Sequence, residues 1–172
     1  IPILGALAFG ALIAATDPVA VISCFKSLGV SKRLSILVEG ESLFNDGVAI
    51  VLFNLTIVAA AATLADGNTT EFSLVAAIVE FLRVSVVGIG IGLALGFVVA
   101  YVILGNIDDH LIETATTVAL AFGAYVAAES LHTSGLLAVV AAGLVVGNVG
   151  MNNTSPTTRL TLENFWEFLA FV

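Results

Sequence analysis

Charged side chains are scarce in this sequence. Only 10% of its 172 residues are Asp, Glu, Lys or Arg, whereas soluble domains average roughly 25%. Hydrophobic residues make up 59% of the chain, and the mean hydropathy is +1.14. A chain of this composition cannot cover its outer surface with polar groups. The shortage of charge therefore excludes an ordinary soluble domain and predicts an all-α, polytopic membrane protein embedded in the lipid bilayer.

Basic residues and cysteine are rarer still, and each shortage excludes a class of protein. Five Lys and Arg residues leave a net charge of −8, so the basic stripes of a nucleic-acid-binding protein are missing. The single cysteine, Cys24, excludes an intrachain disulfide. The first apolar run, "IPILGALAFGALIAATDP", lacks a basic start, so we expect no cleavable signal peptide. Both ends lie in apolar sequence, and we expect an internal piece of a longer membrane protein.

Long apolar segments fill most of the chain. A helix of about 20 apolar residues crosses roughly 30 Å of hydrocarbon, and several segments exceed that length. Short links rich in Gly, Asn, Asp, Ser and Thr separate them. We expect one membrane domain over residues 1–172, with helices at about 3–27 (broken at 15–17), 34–63, 73–104, 111–131, 135–149 and 160–172, the last truncated by the end of the chain.

The basic residues predict an orientation. Four of the five lie in the links at 26–33 and 150–160, which fall on one side of the membrane if each segment crosses once. The positive-inside rule makes that side cytoplasmic. We expect the cell's plasma (inner) membrane as the location.

Glycines recur every fourth residue in the third segment. "GIGIGLALG" places Gly88, Gly92 and Gly96 on one helical face. Small residues at this spacing let two helices approach closely in lipid. We expect this face to be a helix-packing surface.

The stretch "AATDPVAV", residues 14–21, breaks the pattern of the first segment. Pro18 has no N–H, and its ring crowds the carbonyl of Ala14. Asp17 suits the N-cap of a new helix that begins at Pro18. One interpretation is a proline kink with a structural cap. The other is a discontinuous helix whose free carbonyls and Thr16 hydroxyl coordinate a cation.

A second polar stretch, "GESLFNDG" at residues 40–47, lies inside the second segment. Helix periodicity stacks Ser42 with Asp46 and Glu41 with Asn45. If the helix enters the membrane near Arg33, Asp46 lies about 20 Å in, near mid-depth. An ionisable group there costs ~2.5–3.5 kcal/mol to insert, so such groups usually have a function.

Proton and cation binding can compete at such a carboxylate. A poorly solvated cavity favours its neutral, protonated form, whereas an arriving cation with oxygen ligands favours the ionised form. Asn45 and Ser42 would add neutral oxygens. Glu41 would repel a second anion, so we expect it to pair with a base elsewhere. The alternative is a hydrogen-bonded lock between helices, with no transport.

Three motifs in order carry a family resemblance. "TDPVAV", "GESLFNDG" and "AESLHTSGLLAVVAAGLVVGN" (residues 128–148) together resemble the monovalent cation:proton antiporter-1 family, which includes prokaryotic and animal sodium/proton exchangers. The resemblance covers nearly the whole chain. It implies inverted repeats, crossing discontinuous helices (here at Thr16–Pro18), and a homodimer that works by an elevator-like motion.

The resemblance also implies roles for single residues. Asp46 matches the aspartate that carries the ion and the proton, and Asn45 before it goes with electroneutral exchange. Ser42 and Thr16 match ion-coordinating positions, which implies Na⁺ at Asp46, Ser42 and Thr16. Asp17 matches the aspartate of the unwound segment. Glu41 matches a glutamate that pairs with an arginine on a later helix, which would lie beyond Val172.

We therefore expect a secondary active transporter, not an enzyme, that exchanges Na⁺ for H⁺ by alternating access and needs no cofactor. Potassium/proton exchange is the main alternative, and a cation channel is another. An intramembrane aspartyl protease could use Asp17 and Asp46, but the "GxGD" signature of that class is absent from the sequence.

Overall fold

The computed structural model describes residues 3–65, 74–107 and 109–171, without the side chains of residues 26, 62–65, 74 and 171. Every regular element in these ranges is helical. The α-helices are α1 (Ile3–Ala14), α2 (Val19–Leu28), α3 (Lys32–Ala65), α4 (Leu74–Val98), α5 (His110–Ser130), α6 (Gly135–Val145), α7 (Met151–Asn153) and α8 (Pro156–Phe171). Single π-helical turns, Val99–Ile103 and Val146–Gly150, continue α4 and α6.

Five segments of the described chain are long and apolar enough to cross a membrane. They are Ile3–Phe25, Lys32–Ala61, Val75–Ile103, His110–Ser130 and Gly135–Asn153. Large apolar side chains on these segments stay exposed, for example Ile3 at 68% and Phe122 at 71%. Soluble monomers rarely expose apolar surface on this scale, because water would penalise it. The prediction of an all-α, polytopic membrane protein is confirmed.

The chain divides into two compact units, residues 1–83 and 84–172. The expectation of one membrane domain stays a prediction. In the first unit, α1 packs along α3, and α2 makes a smaller contact with α3. Small residues mark the close approach: Ala11 of α1 and Ala49 of α3 are buried. The polar part of α3 is thereby held beside the end of α1.

In the second unit, glycines of α4 meet the start of α6. A Cβ added to Gly88 would lie 2.7 Å from the carbonyl oxygen of Ser134, and one at Gly92 would overlap the backbone of Ala138. A Cβ added to Gly96 would lie somewhat farther away, 3.1 Å from the backbone of Ala142 in α6. Only glycine fits such backbone contact, so the expectation of a packing surface at these three glycines is confirmed.

Some boundaries differ from the expected ones. α8 begins at Pro156 rather than near residue 160. The hydroxyl of Ser155 accepts a hydrogen bond from the backbone N–H of Thr158, 3.2 Å away, and thus caps the helix. Proline is favoured at the first helical position because its missing N–H is not needed there. The cap and the proline together start the helix in a stretch whose polarity suggested a loop.

The two π-helical turns pack against each other within the second unit. The amide of Asn153 donates a hydrogen bond to the carbonyl of Ala100, 3.3 Å away. A π-turn widens the helix by one residue per turn and frees a carbonyl for such a partner. The sequence pattern, which predicted plain helices at 73–104 and 135–149, did not indicate these turns.

Candidate functional site

The polar site of the first unit is built around a break between α1 and α2. α1 ends at Ala14 and α2 begins at Val19, so residues 15–18 belong to neither helix. The predicted N-cap is wrong by one residue, because α2 begins at Val19 and its N-cap position is Pro18 rather than Asp17. The Asp17 carboxylate still accepts a hydrogen bond from the N–H of Val19, the first residue of α2, at 2.9 Å. The interpretation of this break as the unwound centre of a discontinuous transmembrane helix stays a prediction.

Side chains of α3 hold the broken backbone. The Ser42 hydroxyl donates to the carbonyl of Thr16. The Asn45 amide donates to the carbonyl of Ala14 and to the Thr16 hydroxyl, 3.4 Å away. The Asp46 carboxylate accepts the N–H of Thr16, with Oδ1 and N 3.1 Å apart. Positions 42, 45 and 46 share one helical face because they are three and four residues apart.

Proline explains why one of these contacts is needed. In an unbroken helix, the carbonyl of Ala14 would accept a hydrogen bond from the N–H of residue 18. Residue 18 is proline, which has no N–H to give. The Asn45 amide supplies the missing donor. Backbone groups within a membrane must find partners inside the protein, so the break and the polar face of α3 depend on each other.

Burial separates the members of the site. Ser42 is buried at 7% exposure, Asn45 and Asp46 are half-buried, and Thr16 and Asp17 are exposed. Asp46 uses Oδ1 to bind the break. Its Oδ2 makes no hydrogen bond to any described residue. The carboxyl group thus binds the break through one oxygen, and its other oxygen has no hydrogen bond within the described residues.

Glu41 lies apart from this group, although it is adjacent to Ser42 in sequence. Its side chain is exposed, and no described basic group lies within ion-pair distance of it, since the ion pair recorded in the described chain joins Arg83 and Glu80. Its pairing with an arginine of a later helix stays a prediction.

The structure thus brings together four of the predicted site residues: Thr16, Ser42, Asn45 and Asp46. Asp17 instead accepts a hydrogen bond from the first residue of α2. Glu41 makes no hydrogen bond or ion pair with the described residues of this site. The partner of the Ala14 carbonyl was not predicted from the sequence. The signal was present, because a proline four residues after a carbonyl always leaves that carbonyl without its helical donor.

Comparison with known proteins identifies the family. The model of the transmembrane sodium/hydrogen exchanger family matches residues 1–172. The chain belongs to this family. It is 44% identical to the Na⁺/H⁺ antiporter ApNhaP of Aphanothece halophytica over 96% of the chain. It is 42% identical to the Na⁺/H⁺ antiporter NhaH of Halobacillus aidingensis over 97% of the chain.

The relatives are longer than this chain. The matched part makes up 31% of the Aphanothece protein and 41% of the Halobacillus protein. A plant relative, sodium/hydrogen exchanger 7 of Arabidopsis thaliana, is 36% identical over 96% of the chain, which corresponds to 14% of that protein. The family is one of membrane transporters.

Proposed function

We propose that this chain forms part of a secondary active transporter that exchanges Na⁺ for H⁺ across a membrane, with Asp46 as the group that carries them in turn. One observation carries the proposal: the carboxylate of Asp46 meets the broken backbone at Thr16. A single carboxyl group on one segment meets a hydroxyl and an interrupted backbone on another, and each of the two segments is long enough to cross a membrane.

The contacts around Asp46 suit competition between a proton and a cation. The free Oδ2 of Asp46, the Thr16 hydroxyl and the Ser42 hydroxyl are oxygens, the ligands that hard cations prefer. Carbonyl oxygens have two lone pairs, so those of Ala14 and Thr16 can accept a hydrogen bond and still face a cation. A proton on Asp46 would remove the negative charge that attracts Na⁺. Only one of the two would therefore bind at a time.

Electroneutral exchange is the expected stoichiometry, because Asn45 is neutral where a second carboxylate would add charge. The amide of Asn45 already donates hydrogen bonds to the carbonyl of Ala14 and to the hydroxyl of Thr16. It does not ionise, so it cannot take up or release a proton during exchange. One carboxyl group then moves one Na⁺ against one H⁺. Alternating access, a homodimer and cytoplasmic loops at 26–33 and 150–160 in the plasma membrane complete the proposal. They rest on the family and on the basic residues of those loops.

A structural lock is the second candidate, and the same hydrogen bonds favour it. Ser42, Asn45 and Asp46 satisfy a backbone that proline has interrupted, which would be reason enough to keep them. The substitution Asp46→Asn separates the two. Asparagine keeps an oxygen that accepts the N–H of Thr16, but it cannot hold a charge or exchange a proton.

The test uses the full-length protein in proteoliposomes with an internal pH dye. A pH gradient is imposed, and Na⁺ or K⁺ is then added outside. We expect Na⁺ to collapse the gradient with the wild type and not with Asp46→Asn. Asp109→Asn is the matched control: Asp109 caps α5 through Leu111, and asparagine caps helices equally well.

Each other outcome has a meaning. Normal exchange by Asp46→Asn would contradict the role of Asp46 as the carrier. The structural lock would then be the remaining role of this carboxyl group. Collapse by K⁺ rather than Na⁺ would make the protein a potassium/proton exchanger. Cation flux that follows the membrane voltage without proton movement would identify a channel.

A further inference from the structure

An apolar cavity of about 300 Å³ lies within the second unit, between α5, α6 and α8. α6 and α8 both pack against α5, which contributes Leu120 and Ala121 to the lining. Val139 and Val146 line the cavity from the side of α6, and Leu162 from α8. For comparison, an apolar cavity of about 150 Å³ stays dry and binds benzene. The space between these helices therefore has room for a larger apolar group.

Two glycines leave the α6 wall of this cavity without side chains. Gly143 and Gly147 line it, and a Cβ added to either would meet no described atom within 4 Å. At Gly88 and Gly92, by contrast, an added Cβ would collide with backbone. Glycine inside a helix is less stable than alanine, and no close helix contact within the described chain accounts for it at 143 and 147. Room for an occupant would account for both.

The polar side chains on the lining are already satisfied. The indole N–H of Trp166 donates to the Thr117 hydroxyl, 3.2 Å away, and that hydroxyl donates to the carbonyl of Thr114 at 2.8 Å. Among the described lining residues, only these two side chains carry an N–H or O–H group. A polar ligand would find no free side-chain partner here, and its burial without hydrogen bonds would be costly. The occupant that fits is apolar.

A cation lies on the same face of α8, at the membrane boundary. Arg159, Leu162 and Trp166 are three and four residues apart, so they share one side of the helix. Trp166 contacts α5 at Thr117, which is seven residues after His110, where that spanning segment begins. Arg159 is likewise seven residues before Trp166. It is roughly level with His110, because α5 and α8 both begin at the end of the unit where α6 finishes.

The Arg159 guanidinium is available to an anion. Its side chain is exposed, and it forms no ion pair with a described carboxylate. A guanidinium suits phosphate, which it can bind through two parallel hydrogen bonds. The cavity lining extends from Leu162 to Trp166, the latter about 10 Å deeper than Arg159 along the helix. A phosphate partner and an apolar cavity thus follow one another in the order of a phospholipid's headgroup and tail.

We propose that a phospholipid binds here, with its phosphate on Arg159 and one acyl chain in the cavity between α5, α6 and α8. Two walls of the cavity belong to segments long enough to cross a membrane, so acyl chains are the medium around them. The chain would fill a space that the described helices leave empty, which improves packing. The site lies in the second unit, whereas Asp46 lies in the first, and it does not depend on the antiport proposal.

Fluorescence quenching in the purified full-length protein tests the proposal. Trp166 is the single tryptophan of this chain, and its signal is obtained as the difference from Trp166→Phe. The protein in detergent micelles is titrated with a phospholipid that carries bromine on one acyl chain, because bromine quenches tryptophan on contact. We expect quenching that saturates at a low mole fraction of lipid. No quenching, or quenching that only rises in proportion to the lipid, would overturn the proposal, because the cavity would then be filled by another part of the protein.

Filling the cavity should abolish the saturable quenching. Gly143→Leu adds a side chain to the lining. Gly123→Leu is the matched control, since its added Cβ also meets no described atom within 4 Å and Gly123 is not a lining residue. Ala121→Leu fills the cavity from α5 and covers the case in which Gly143→Leu does not fold. Saturable quenching that survives both filling substitutions would contradict the proposed place of the acyl chain.

Arg159→Gln tests the contact with the phosphate. It should raise the lipid fraction at half-maximal quenching roughly twofold to fivefold, the effect of one exposed ion pair. Arg33→Gln, which changes an exposed arginine of the first unit, should leave that fraction unchanged. A brominated fatty-acid ester, which has no phosphate, should titrate the wild type and Arg159→Gln alike. Equal titrations of the two proteins by the phospholipid would overturn the assignment of a phospholipid.

Discussion

The two units of this chain solve the problem of helix contact in different ways. In residues 1–83, polar side chains of α3 bind the broken backbone near Thr16. In residues 84–172, glycines of α4 rest directly on the backbone of α6. A polar group can exchange one hydrogen-bond partner for another, whereas two helix backbones in direct contact leave no room for an added atom. The first arrangement suits a site that binds ions, and the second suits a rigid support.

The largest effect is expected at the glycine contact. Gly92→Ala places a methyl group on the carbonyl of Ala138, and overpacking against backbone should cost about 3 kcal/mol or prevent folding. Gly90→Ala is the matched control, since no described atom lies within 4 Å of its added Cβ. Thermal unfolding of the two full-length variants in detergent checks this. Equal melting temperatures would contradict the packing role.

A smaller effect is expected at the polar contact. Ser42→Ala removes the donor to the carbonyl of Thr16, and a hydrogen bond of this kind contributes about 0.5–1.5 kcal/mol. If Ser42 also binds the cation, the apparent affinity for Na⁺ should fall by up to about tenfold. The rate of exchange at saturating Na⁺ should change less.

Ser27→Ala is the control for that variant, because Ser27 donates to the carbonyl of Cys24 within its own helix. Exchange assays over a range of Na⁺ concentrations give the apparent affinity for Na⁺ of the Ser42→Ala protein and of the Ser27→Ala protein. A Ser42→Ala protein that is less stable but binds Na⁺ normally would limit Ser42 to holding the break.

Much of the first unit could be predicted from local sequence. Pro18 and Asp17 predict a break and a cap by their own chemistry, and helix periodicity places Ser42, Asn45 and Asp46 on one face. The contact between Asn45 and the carbonyl of Ala14 could not be predicted by periodicity, because it joins residues 31 apart. It depends on how α1 lies along α3, which is a matter of tertiary packing.

The second unit was predicted unevenly. The spacing of Gly88, Gly92 and Gly96 indicated a packing face, but not which helix fills it. The burial of Glu113 was not predicted, because near the start of a helix a glutamate is usually a solvated residue that favours the helix dipole. This burial depends on neighbours that are distant in sequence. The π-helical turns likewise have no pattern of their own.

Proton release on sodium binding is the most direct test of the central claim, that one carboxyl group binds either a proton or Na⁺. The full-length protein is placed in a weakly buffered solution with a pH indicator, and Na⁺ is added without any gradient. The account predicts that the wild type releases protons as Na⁺ binds and that Asp46→Asn releases none. Equal proton release from the two proteins would contradict it, because the exchanged proton would then come from another group.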